Sequence, residues 1–173
     1  MQDVAALAIE MRDRCPALRV RAASRMLARL YDEALRETGL EMSQLPVLAA
    51  VAIAGERGLK VTELARALVM DRTSVTRAIR PLEKLGLLRV ARSPHDARSK
   101  VIVLTRAGER ALRDAYPRWQ RTTRRIREVL GTDRIDALGA ELSALIAARP
   151  RLGPPTQRAS RRSAREREIP ARP

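Results

Sequence analysis

The sequence predicts a mainly α-helical fold carrying one small β-ribbon. Three observations lead there. Apolar residues recur at helical spacing over most of the 173-residue chain, and the pattern changes to short β-branched runs only around residues 87–104. Aromatic residues make up 2% of the chain, with no Phe, so the core is built from Leu, Val, Ile and Ala. The length is that of about one domain, large enough to bury a core without metal or disulfide support.

The first element runs from about Leu18 to Glu37, with Leu18, Ala22, Met26 and Leu30 at helical spacing and Gly39 as its stop. Ser43 is the expected N-cap of a second helix, Leu45 to Ala54, which is apolar on nearly every side and so expected to be central and buried. Thr62 is the expected cap of a short third helix with Leu64, Ala65 and Leu68 on one face. Val69 and Met70 break it, and Asp71 caps a fourth helix from Arg72 to about Leu85. Its inward stripe is Val75, Ala78, Ile79, Leu82 and Leu85, Pro81 is expected to bend it, and Gly86 ends it.

Leu87 to Val90 and Lys100 to Leu104 then read as two strands around the polar turn Ser93-Pro94-His95-Asp96-Ala97-Arg98-Ser99. Thr105 caps a long helix to about Leu130, with a kink expected at Pro117. After Gly131-Thr132-Asp133 a last helix spaces Ile135, Leu138, Leu142 and Leu145 by three, four and three residues, a seam of coiled-coil type suited to a dimer interface. Beyond Pro150 an Arg- and Ser-rich run without apolar periodicity reads as a disordered basic tail.

The formal charge of +15 narrows the function. The tail holds seven arginines against two glutamates, so most of the excess lies on the folded part. Such a surface seeks phosphate, because neutralising it releases condensed counterions. A membrane surface is the weaker candidate: no stretch joins a basic face to exposed Trp, Phe and Leu, and none is apolar enough to span a bilayer. Only three of the 35 basic residues are lysine, and Arg suits bidentate recognition of phosphate and guanine, although biased codon usage explains such a composition equally well. The first sixteen residues carry Asp3, Glu10 and Asp13 and no signal-like apolar run, and Cys15 is the single cysteine, so a cytoplasmic protein is expected.

One His and one Cys cannot make a zinc set or a Cys-His catalytic pair, and no Gly-rich phosphate loop or paired-carboxylate motif stands out. An enzyme is therefore not expected, and no cofactor or metal.

The informative unit is residues 62–104: short helix, tight turn, polar-faced helix, basic-tipped ribbon. This is a winged helix-turn-helix arrangement. A major groove about 12 Å wide admits one helix, whose first turns reach base edges. Arg72, Thr73, Ser74, Thr76 and Arg77 occupy those turns, with Arg80 further along and suited to phosphate. At the ribbon tip Arg98 is the candidate for a narrow minor groove, Asp96 for orienting it, and Lys100, Arg92 and Arg89 for steadying the ribbon on phosphates.

The stretches Val61-Thr62-Glu63-Leu64-Ala65-Arg66-Ala67-Leu68, Asp71-Arg72-Thr73-Ser74-Val75-Thr76-Arg77, and Asp96-Ala97-Arg98 followed by Leu104-Thr105-Arg106-Ala107-Gly108 resemble the MarR family of bacterial transcription regulators. The resemblance spans about Leu18 to Ala148 and rests most on the Asp-x-Arg wing with its following Leu-Thr-x-x-Gly. It implies a homodimer built from N- and C-terminal helices that binds a pseudo-palindromic DNA operator. It also implies a repressor released by a small aromatic or phenolic ligand, or by oxidation of a cysteine. Cys15 with Tyr31 is similar to the sensing pair of peroxide-responsive members, with a slightly different spacing and Met42-Ser43 where a second tyrosine would stand. Tyr116, Trp119 and Met26 fit either the core or the walls of a pocket, the core being the simpler reading.

The predicted organisation is thus an N-terminal dimerisation region (1–42), a winged helix-turn-helix domain (43–105), C-terminal dimerisation helices (106–149) and the basic tail (150–173). A basic protein that binds nucleic acid without regard to sequence is the alternative, separable by a footprint that survives competitor DNA.

Overall fold

The computed structural model describes residues 3–93 and 98–153. Seven helices and one ribbon follow in the order α1 (Val4–Arg14), α2 (Pro16–Leu35), α3 (Leu45–Ala54), α4 (Val61–Ala67), α5 (Arg72–Lys84), β1 (Leu88–Arg92), β2 (Lys100–Leu104), α6 (Arg106–Leu130) and α7 (Thr132–Ala147). The chain divides into two compact units, Met1–Arg125 and Ile126–Pro173. The predicted basic tail lies outside the described residues from 154 onward.

Helix α1 was not expected. Asp3 caps it, accepting the Ala5 N–H at 3.0 Å, yet none of its residues is buried, which is why no apolar period announced it. Cys15 then closes α1 and opens α2, whose Pro16 sits in the first turn, where a missing N–H is harmless. The helix gives way to a short 3-10 turn ending at Gly39, as the glycine's position foretold.

Two expected caps are replaced. Ser43 does not cap α3: Gln44 precedes the helix without a side-chain cap, and the Ser43 hydroxyl donates to Glu41 instead. Thr62 lies inside α4, whose start is fixed by the Glu63 carboxylate accepting the Lys60 N–H at 2.8 Å. A carboxylate one turn into the helix reaches the free donors better than a hydroxyl already within it. Helix α3 is also less enclosed than expected. Val47, Leu48 and Val51 are buried, but Ile53 is 87% exposed.

The core of the first unit gathers Leu35, Leu48, Leu64, Val75, Leu82 and Ile102, each almost wholly buried. Burying each such side chain contributes about 1.5–3 kcal/mol before entropy costs. Val75, Ile79 and Leu82 anchor α5 in this core, whereas Leu85, expected on the same stripe, is exposed beyond the helix end. The chain runs helically through Pro81 and through Pro117 without interruption.

Strands β1 and β2 pair antiparallel from Leu88↔Leu104 to Arg92↔Lys100. Leu59 adds one bridge to Ile102, with bonds of 3.0 and 2.8 Å, tying the segment before α4 to the ribbon. In the second unit α7 begins directly after Gly131, so Thr132 and Asp133 belong to the helix rather than to the break.

Candidate nucleic-acid interface

The helix-turn-helix is held by three local devices. At the head of α4, Glu63 accepts from the Lys60 backbone and, at 2.9 Å, from the Arg57 guanidinium, and both bonds hold its carboxyl below the usual range. At the tail of α4, Val69 adopts φ +55°, and the Val69 and Met70 N–H groups return to Arg66 O (3.3 Å) and Ala65 O (2.9 Å). This is a Schellman closure, with a β-branched residue where glycine is usual.

At the head of α5, Asp71 accepts the Ser74 N–H at 2.8 Å and the Ser74 hydroxyl at 2.7 Å. The Ser74 hydroxyl bond, then its backbone N–H bond, holds the Asp71 carboxyl below its ordinary value. The expected Asp71 cap is therefore present, and it closes the first turn of α5.

With Val75, Ile79 and Leu82 inward, Thr73, Arg77 and Arg80 are exposed on the far side of α5, Thr76 at its flank, and Arg72 at its first turn. Their chemistry divides. The Thr76 hydroxyl donates to Arg72 O at 2.9 Å, and Ser74 is engaged with Asp71, so both spend their proton locally. Arg72, Arg77 and Arg80 present guanidinium donors to solvent.

The ribbon carries the second set. Arg89, Arg92, Arg98 and Lys100 are exposed, and Arg92 and Lys100 stand opposite each other at the end of the ladder nearest the tip. Asp96 and His95 lie outside the described residues.

The base of the ribbon explains the Leu-Thr-x-x-Gly pattern. Thr105 accepts the Gly108 N–H at 3.0 Å and donates to Gly86 O at 2.7 Å, so one hydroxyl caps α6 and pins it to the end of α5. A Cβ on Gly108 would stand 2.3 Å from Leu87 O and 2.7 Å from Leu104 Cδ1. Only glycine lets α6 pass this close to the ribbon.

The seam residues Leu138, Leu142 and Leu145 on α7 are 49%, 36% and 49% exposed, and Ile135 is half-buried. Cys15 and Tyr31 are not brought together within one chain. Sixteen residues of helix separate them, about 24 Å at 1.5 Å per residue. Tyr31 is buried, with its hydroxyl 2.8 Å from Thr123 Oγ1.

The sequence left Tyr116 and Trp119 between core and pocket wall. Met42, Leu45, Pro46 and Ala49, at and before α3, face Leu112, Ala115, Tyr116 and Trp119 of α6 across a cavity of about 340 Å³. The rings of Tyr116 and Trp119 stack at 5.8 Å on its wall. These two residues are thus pocket walls rather than core, and Met26 is exposed on α2. The residues meet from segments some seventy positions apart, which no local pattern records.

The profile of the MarR family matches residues 38–99, the stretch from the end of α2 to the ribbon tip. The crystal structure of the M. tuberculosis transcriptional regulator MosR is 31% identical, covers 80% of this chain and 99% of its own, and superposes with a TM-score of 0.67. The chain belongs to the MarR family of transcription regulators. MosR in complex with DNA superposes with a TM-score of 0.64 at 31% identity, covering 78% of this chain and 98% of its own. The transcriptional repressor CouR of Rhodococcus jostii RHA1, bound to a 23-mer DNA duplex, is 26% identical, covers 79% of this chain and 95% of its own, and has a TM-score of 0.69. Comparison with curated proteins gives no match. The chain thus shares the winged helix-turn-helix fold of the MarR family. Among the described residues no helix is long and apolar enough to cross a membrane.

Proposed function

We propose that this MarR-family regulator is a homodimeric repressor that reads a pseudo-palindromic operator through α5 and the ribbon, and lets it go when a small aromatic molecule fills the cavity between α3 and α6. The observation that carries the reading is the orientation of α5. Its apolar side is locked by Val75, Ile79 and Leu82, its first turn is fixed by Asp71, and Arg72, Thr73 and Arg77 stand outward where a major groove would lie. MosR and CouR, similar over nearly their whole lengths, are recorded bound to DNA.

Base reading falls to Arg72, Thr73 and Arg77, with Ser74 and Thr76 contributing as acceptors, Arg80 and Lys100 on phosphates, and Arg98, oriented by Asp96, in a minor groove. Dimerisation falls to the bare seam Ile135, Leu138, Leu142 and Leu145 on α7. The apolar cavity with its stacked ring pair supports a planar aromatic effector. Release by oxidation of Cys15 has less support, since Tyr31 is bonded elsewhere. We also read the chain as a regulator without enzymatic activity, in keeping with its relatives, and the sequence-indifferent alternative loses favour beside a DNA-bound repressor of the same fold.

Footprinting on the DNA flanking its own gene, with excess competitor, tests the reading. One protected pseudo-palindrome that persists is the expected result. Binding that tracks duplex length alone would overturn it.

A further inference from the structure

Helix α6 carries a charge pattern that the operator-reading elements leave unused. Its inner side is apolar, with Leu112, Ala115 and Trp119 at spacings of three and four. Its outer side places Arg106, Arg110, Arg113, Arg121 and Arg124 along one line, at i, i+4, i+7, i+15 and i+18, with Arg118 and Arg125 beside it. Glu109 and Asp114 are the two carboxylates between Arg106 and Arg125, and Glu128 follows one turn beyond Arg124.

Two of the seven arginines are engaged, Arg113 with Glu109 at 3.6 Å and Arg118 with Glu37 at 2.7 Å. Among the described residues, Arg110, Arg121, Arg124 and Arg125 have no carboxylate within ion-pair distance, and all four are exposed. Concentrating like charge along a helix costs self-repulsion that ordinary surface helices relieve with i, i+4 acidic partners. Here, among the described residues, one such pair forms, Arg113 with Glu109, while Asp114 and Glu128, four residues after Arg110 and Arg124, make no ion pair with them.

The stripe also has a definite starting place. Arg106 follows β2 by two residues, and the close passage of Gly108 over Leu87 O fixes this end of α6 against the foot of the ribbon. The stripe thus begins at the foot of the ribbon that carries Arg89, Arg92 and Lys100. From Arg106 to Arg125 it is about 28 Å long at 1.5 Å per residue, roughly the length of 8 base pairs at 3.4 Å each.

We propose that the outer face of α6 is a second, sequence-independent DNA track that takes the phosphate backbone of the duplex flanking the operator, beyond the segment read by α5 and the ribbon. This rests on the operator-binding reading above and adds flanking DNA as the ligand. A polyanion is the partner chosen by chemistry: exposed guanidinia repeated along a line match phosphates repeated along a strand, and each phosphate neutralised releases counterions.

The test uses the full chain and two duplexes, one ending at the footprint of α5 and the ribbon, the other extended by about one and a half helical turns on each side. Wild type is expected to bind the longer duplex roughly tenfold tighter, with a salt slope steeper by about 0.9 for each added phosphate contact. The variant R110Q/R121Q/R124Q/R125Q should lose that gain while keeping its affinity for the short operator. The charge-preserving R110K/R121K/R124K/R125K should retain most of it. Circular dichroism of both variants checks that α6 is intact.

A glutamine variant that folds and keeps the full flank gain would overturn the proposal. So would a wild type indifferent to flanks, which would leave the face to solvent or to an acidic protein. Failure of the operator reading itself would appear separately, as no preference for operator over scrambled sequence on the short duplex.

Discussion

Ser74 bonds Asp71 twice, through its backbone N–H at 2.8 Å and its hydroxyl at 2.7 Å. The pair is structural before it is functional: it closes the first turn of α5 and takes Ser74's proton away from DNA. Asp71→Ala is expected to lower the melting temperature and to weaken binding to operator and random duplex alike, because the whole helix end loosens. Ser74→Ala should remove one acceptor and cost only a small part of base discrimination. If Ser74→Ala instead erased discrimination between operator and scrambled DNA, the hydroxyl would be a base reader and the cap secondary.

The same pair has a pH signature. Because the Asp71 carboxyl is held below its ordinary value in the fold, its contribution is present above the unfolded value of about 4 and is lost as pH falls through the lower folded value. The cap should therefore survive at neutral pH and fail only in acid. Ser74→Ala should move the Asp71 titration upward, toward the ordinary carboxylate range, when followed by NMR. An unchanged midpoint would show that the hydroxyl bond does not form in solution.

Val69 gives a prediction of opposite sign. A β-branched residue at φ +55° carries left-handed strain of about 1–2 kcal/mol, partly offset on replacement by the greater unfolded freedom of glycine, about 0.5–1 kcal/mol. Val69→Gly should stabilise the protein by up to about 1.5 kcal/mol in chemical denaturation. Destabilisation would mean that Val69's side chain, not its backbone, matters at this turn.

Asp71 and Thr105 were legible in the sequence because a cap is a local event: acceptor and N–H lie within three residues of each other. Ser43 and Thr62 carried the same signal and failed. Glu41 took the hydroxyl of Ser43, and the Glu63 carboxylate bonded to the Lys60 N–H starts α4 at Val61, which leaves Thr62 inside the helix, past the cap position. Among α5 positions the stripe Val75, Ile79 and Leu82 was readable from its period, while Leu85 was not, since only the packed structure shows that the chain has already turned away. The stacked Tyr116 and Trp119 were ambiguous for a different reason. Whether an aromatic face meets core or cavity depends on Pro46 and Ala49, which lie far away in sequence. Helix α1 had no core face to announce it.

The α7 seam is bare in the single chain, so its test is assembly. Pairing Leu138, Leu142 and Leu145 with a second copy would contribute about 1.5–3 kcal/mol per side chain before entropy costs. Leu138→Asp with Leu142→Asp should therefore give a monomer by sedimentation, and operator affinity should collapse because two half-sites no longer act together. A double mutant that sediments as a dimer and binds normally would move the interface to another element, with the exposed apolar residues of α1 next in line.

The last prediction separates the two reading elements. Arg77 stands on α5 opposite the buried Val75 and Ile79, so a guanidinium there meets base edges if α5 enters a major groove. Arg77→Ala should then cost about 1–3 kcal/mol on the operator and much less on random DNA. Arg98 stands on the ribbon, beside the pair Arg92 and Lys100 that closes its ladder. A minor groove offers it width and negative potential rather than base identity, so Arg98→Ala should weaken operator and random DNA together and flatten the salt slope by about one contact. Asp96→Ala should act in the same direction, more mildly, since the arginine remains but loses an orienting carboxylate. Titrations of the three variants on operator and scrambled duplexes at several salt concentrations resolve the scheme. Specificity lost with Arg77 and affinity lost with Arg98 is the expected division. Undiminished affinity in Arg98→Ala would remove the ribbon from recognition, and equal losses on both duplexes in Arg77→Ala would make α5 a phosphate-binding helix rather than a reader.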